Sequence, residues 1–267
     1  MKVFKLLFLL LLACPVCPVL AQVQMASIKY TLKGNSDFIR CDQLGNLYLV
    51  KNDQLMKYDA QGKLINRYSN KTLGSIQFLD VSNPMKILIF YPAFNKIVFL
   101  DNQLSENGRP VNLSDYEMDQ TILACTSHDN SFWVYDQRNF ELVRMDQNMQ
   151  VTHRTGNIPQ QTGLEIKPLN VYEYNNWLYA CDSVAGIFVF DIYGTYYKTI
   201  PLKGLMEVQF DNNSLWYFQA GKLEGINLQT LQPEKKELPR AGASFVLLQG
   251  SRLYLKDADQ TICYIYP

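Results

Sequence analysis

Asn170, Glu173 and Glu207 carry the oxygen donors in this chain best suited to a hard cation. Calcium sites need several carboxylate and amide oxygens together. The polar residues expected at equivalent places in the fold are Arg40, Gln77 and Gln209, and Arg40 would repel a cation. Zinc chemistry needs converging imidazoles or thiolates. The chain has two histidines, His128 in TSHDN and His153 in VTHRT, and their neighbours read as a turn and an outer strand. No G-x-S-x-G elbow, phosphate-binding loop or G-x-G-x-x-G turn is present. The expectation is therefore no catalytic residue, no metal site and no cofactor. A different chemistry is offered by Tyr91, Phe94, Asp136, Arg138, Phe140 and Asp182, which fall in or beside turn-like segments. Aromatic rings beside an arginine characterise protein-binding hot spots, so these six are the candidate binding residues.

The elements that must position these residues repeat along the chain. Strand-like runs begin at NLYLV, KILIF, SFWVY, WLYAC, SLWYF and RLYLK. Aligned on Leu47, Ile87, Phe132, Leu178, Leu215 and Leu253, they recur at intervals of 40, 45, 46, 37 and 38 residues. A second apolar run follows each anchor and, in the first five units, closes on Asp59, Asp101, Asp146, Asp191 or Asn227. Another run precedes each anchor, and a more polar one follows the closing residue. Four short strands every 40 residues or so is the pattern of a propeller blade. The sixth unit has three runs, and ASIKYTLKG at Ala26 to Gly34 belongs to no other unit. Pairing the two would seal an open sheet edge. The fold class expected is all-β: a six-bladed β-propeller with four antiparallel strands per blade, the last blade closed by the N-terminal strand. The blades fall at about 35–70, 74–113, 120–156, 168–203, 204–238 and 243–267 plus 26–34.

Within these units, VYDQRNFELVRMD and IFYPAFNKIVFLD resemble the NHL-type repeat, in which a turn leads to an Asn-Arg-Ile-like triplet. Asn95-Lys96-Ile97 keeps that triplet, Asn139-Phe140-Glu141 keeps its asparagine, and GNLYLV after Asp42 matches the family's opening. The resemblance to NHL-type and TolB-like six-bladed propellers covers residues 27–267 and implies the ring, not an activity. A likeness to the lactonase branch would imply a channel metal held around Glu173 and Glu207, and hence a hydrolase or lyase. The amidating-lyase branch would imply more histidines than this chain has. In such rings the turns between second and third strands share one face with the connections between blades, where binding residues gather. The expected function is a non-enzymatic binding or scaffold module for a protein, an extended peptide or a glycan. A metal-dependent hydrolase or lyase is the alternative.

The N-terminus, MKVFKLLFLLLLACPVCPVLAQ, reads as an export signal over residues 1–21. Lys2 and Lys5 precede an apolar stretch, and Val19-Leu20-Ala21 offers a small-residue cleavage site. The stretch is short and proline-interrupted for a spanning helix. Leu11-Leu12-Ala13-Cys14 resembles a lipobox, so a lipid anchor at Cys14 is the competing expectation. Either route places the protein in the periplasm or at the cell surface. Cleavage leaves 23 basic against 25 acidic residues, which lacks the basic footprint of nucleic-acid binding. It also leaves Cys41, Cys125, Cys181 and Cys263, each in an apolar run and expected to act as a small buried hydrophobe.

Overall fold

The structure, a computed structural model, describes residues 26–266. The expected export signal over residues 1–21 and the expected lipid site at Cys14 lie outside the described residues. Six four-stranded antiparallel sheets follow one another along the chain. Five are simple meanders, the first built from Phe38–Cys41, Leu47–Lys51, Gln54–Tyr58 and Leu64–Ser69. The sixth takes its outer strand from Ser27–Lys33, which pairs with Gln260–Ile265 so that Tyr30 opposes Cys263. The first strand of each blade is innermost.

The ring is visible in the packing. The buried apolar side chains form six clusters, one at each junction between neighbouring blades, including the junction of blade 6 with blade 1. Successive residues of a strand point to opposite faces of its sheet. Leu88 and Phe90 accordingly join the cluster toward blade 3, while Ile87, Ile89 and Tyr91 join the one toward blade 1. Trp133 and Tyr135 face blade 4, and Phe132 and Val134 face blade 2. Both sheet faces are covered, which is why ILIFY and FWVYD are buried throughout their length.

The repeated aspartates are turn builders. Asp59, Asp101, Asp146 and Asp191 each accept the backbone N–H groups two and four residues on, at 2.8–2.9 Å. A carboxylate on one methylene reaches both donors and closes the turn between third and fourth strands. Blade 2 departs from the pattern: its outer strand is only Val111–Asn112, preceded by a long connection over residues 101–110. The one α-helix among the described residues, Ile158–Thr162, lies in the connection between blades 3 and 4, capped by Asn157. Among the described residues no helix is long and apolar enough to cross a membrane.

Candidate binding face and channel polar groups

The meander puts the turns between second and third strands on one face, with the inter-blade connections. Phe94, 49% exposed, stands there in the turn Pro92–Phe94 of blade 2, and Phe140, 40% exposed, in the corresponding turn of blade 3. Phe140 holds φ = 54°, a left-handed conformation unusual for a large side chain. Its carbonyl accepts the Ile158 N–H, which ties this turn to the helical connection. Arg138 reaches Asp119 at 3.2 Å, both half-exposed, an arrangement that solvent screens.

The other three sequence candidates lie beneath this surface. Tyr91 ends a fully buried strand and is 1% exposed, its ring in the cluster between blades 1 and 2. Asp136 accepts the Arg138 N–H at 2.9 Å and the Asn139 side-chain amide at 2.7 Å. Asp182 accepts Val184 and Ala185 N–H at 2.7 and 2.9 Å, and Lys167 N–H at 2.6 Å. These carboxylates satisfy backbone donors that the turns would otherwise leave unpaired, so they shape the surface without being offered on it. Four exposed residues missed at the sequence level share the face: Tyr116, Leu164, Val184 and Met206. Each sits in a turn or connection of blades 2–5, and the only signal was an apolar residue among polar neighbours, as in SDYEM and DSVAG.

Five of the six channel polars are engaged by protein partners; Gln77 is exposed and makes no side-chain hydrogen bond among the described residues. Arg40 on the innermost strand of blade 1 pairs with Glu207 at 2.7 Å. The Asn170 side-chain amide donates to the Met206 carbonyl at 2.8 Å. Gln209 bridges to blade 6 by accepting the Leu248 N–H at 2.6 Å and donating to the Val246 carbonyl at 3.0 Å. Glu173 is clasped by blade 3, where it accepts Ser127 Oγ at 2.5 Å, His128 N–H at 2.9 Å and Trp133 Nε1 at 2.7 Å. The His128 Nδ1 lies 2.8 Å from the same carboxylate. Burial alone would raise the pKa of Glu173, but the hydrogen bonds from Ser127, His128 and Trp133 outweigh it and hold the carboxyl below its ordinary value. Arg144, 4% exposed, backs the clasp through Ser127 Oγ at 3.0 Å, His128 Nε2 at 3.1 Å and Asp129 at 2.5 Å. His128 is thus brought to Glu173, a juxtaposition that the sequence did not show.

Glu173 and Glu207 share no partner, and among the described residues no three His, Cys, Asp or Glu side chains gather to hold a metal ion. His153 is on the outer strand Val151–Arg154, its ring 5.5 Å from that of Tyr193. The four cysteines among the described residues, Cys41, Cys125, Cys181 and Cys263, are free thiols. Burial pushes Cys41 up to about 12 and Cys125 well above its usual range.

No family model and no curated protein matches the chain. Solved structures do. Virginiamycin B lyase from Staphylococcus aureus aligns with a TM-score of 0.61 at 12% identity, over 89% of this chain and 99% of that one. BamB from Moraxella catarrhalis gives 0.51 at 11% identity, over 91% of each chain. The extracellular domain of BT4673 from B. thetaiotaomicron gives 0.53 at 15% identity, over 84% of this chain and 32% of that one. Identities this low establish likeness of fold: the chain is a six-bladed β-propeller whose structural neighbours include an enzyme as well as proteins of other kinds.

Proposed function

We propose that this protein is an exported, non-enzymatic propeller of the NHL or TolB-like kind that binds a protein or extended peptide across its loop face. The observation that carries the reading is the set of apolar side chains exposed there. Phe94, Tyr116, Phe140, Leu164, Val184 and Met206 come from different turns and connections of blades 2–5 and share one face. Exposed apolar groups on a rigid scaffold mark interaction surfaces. Aromatic anchors beside Arg138 fit a hot spot with a polar rim. The extracellular setting of the BT4673 domain accords with an export signal at residues 1–21.

The lyase among the neighbours keeps the rival reading alive as a class. In this chain, however, the polar groups nearest that chemistry are committed to inter-blade contacts: Glu173 to blade 3 and Glu207 to Arg40. Joint substitution of Arg138 and Phe140 by alanine tests the binding reading. Partner capture from envelope extracts should be lost while the unfolding temperature stays unchanged, because both side chains project into solvent. Retained capture, or loss of folding, would contradict it.

A further inference from the structure

On the opposite face, between blades 2 and 3, lies a pocket of about 450 Å³. This falls within the range of small-molecule sites. Its walls come from the turn holding Met85 and Lys86, the long connection through Asn107 and Arg109, and the turns holding Asn130, Gln147 and Met149. Phe99 and Val111 close it toward the sheet.

Two cations face this pocket without a counter-charge. Among the described residues neither Lys86 nor Arg109 forms an ion pair, and no Asp or Glu lines the walls. Neighbouring carboxylates are engaged elsewhere: Glu106 accepts from Tyr68 Oη at 2.8 Å, Asp129 binds Arg144, and Asp146 holds its own turn. Lys86 Nζ stands 4.3 Å from the centre of the Phe99 ring and donates once, to the Asn130 carbonyl. An ammonium has three donors, so two remain. Burial lowers the pKa of Lys86, a penalty that a bound anion would offset.

The remaining wall groups narrow the ligand. The side-chain amides of Asn107, Asn130 and Gln147 are exposed at the rim and make no hydrogen bond to protein among the described residues, so they are free to meet a ligand in place of solvent. Each offers both donors and an acceptor, which is what hydroxyl groups require of a partner. Met85, Met149, Val111 and the edge of Phe99 supply apolar surface for a ring of C–H groups. Inorganic phosphate would use the cations and the amide N–H donors, but it has too few O–H groups for the three amide carbonyls and no C–H surface for the apolar wall. An aromatic carboxylate would cover the amides without satisfying them, at a desolvation cost.

We propose that this pocket binds a uronate, a sugar whose carboxylate meets Lys86 and Arg109 while its hydroxyls meet the amides of Asn107, Asn130 and Gln147. Calorimetric titration of the exported chain with galacturonate tests it, with galactose, inorganic phosphate and benzoate as comparison probes. Galacturonate should bind saturably with a Kd in the millimolar range, and the other three should bind at least about tenfold more weakly. Arg109→Gln and Lys86→Met should each weaken galacturonate about tenfold or more. Arg109 is exposed, so its variant should unfold at the parent temperature; it decides the matter alone if Lys86→Met does not fold. Absence of galacturonate binding, an Arg109→Gln variant that binds like the parent, or equal binding of galactose, phosphate or benzoate would each overturn the proposal.

Discussion

Single residues here do work that their type alone does not reveal. The closing aspartates were legible because their partners are two and four positions away along the chain. Glu173 was not. Read on its own it is a cation ligand, whereas its hydrogen-bond donors come from Ser127, His128 and Trp133 in the preceding blade, 40 to 46 positions back. Such pairs depend on how neighbouring sheets are rotated, which strand periodicity does not encode. Because its native pKa is held low, Glu173 contributes stability that is present above its unfolded-state pKa and lost as pH falls through its native one. Glu173→Gln should therefore cost about 2–3 kcal/mol at neutral pH in urea unfolding. The gap to the parent should close on acidification. Thiol chemistry gives a second outcome at this scale. Thiolates are the reactive form, and burial holds Cys41, Cys125, Cys181 and Cys263 protonated. Ellman's reagent should label the folded protein slowly and reach all four thiols only in denaturant.

At the level of strands, the order, number and turn chemistry of the elements were readable, because each blade repeats one arrangement of apolar runs and turn residues. Blade 5 follows it with a two-residue hairpin at Ala220-Gly221, both at positive φ. That geometry matches the twist of paired strands. Blade 2 is the exception: its fourth strand shrinks to two residues, and the connection before it walls the pocket. Nothing in the apolar pattern distinguishes NQLSENGRP as a wall from a plain turn. Gly186 shows how tightly the turns are set. At φ = 110° a Cβ there would lie 2.5 Å from the Ile200 carbonyl oxygen, so Gly186→Ala should destabilise by about 2 kcal/mol or more in urea unfolding. The closing strand is the critical element. Deleting residues 26–34 bares the edge of Gln260–Ile265 and removes Tyr30 and Leu32 from the seal. A loss of about 3 kcal/mol or more, roughly 10 °C in Tm, is expected, with self-association in size-exclusion chromatography.

For the whole molecule, closure makes a disc whose two faces are built by different loops. One gathers exposed apolar side chains from blades 2–5 beside Arg138; the other exposes Leu44, Met85, Tyr193 and Leu231 singly and holds a cation-lined pocket between blades 2 and 3. The loop face was anticipated from topology, but only Phe94, Arg138 and Phe140 of its six candidates project from it. Tyr91, Asp136 and Asp182 sit beneath it because strand ends and turn carboxylates are pulled inward by packing and backbone donors. The binding account is tested most directly by placing a photo-crosslinking amino acid in living cells at Phe140 on the loop face and, separately, at Tyr193 on the opposite face. A discrete protein adduct from position 140 and none from position 193 is the predicted result. Adducts from position 193 alone, or from neither, would contradict it.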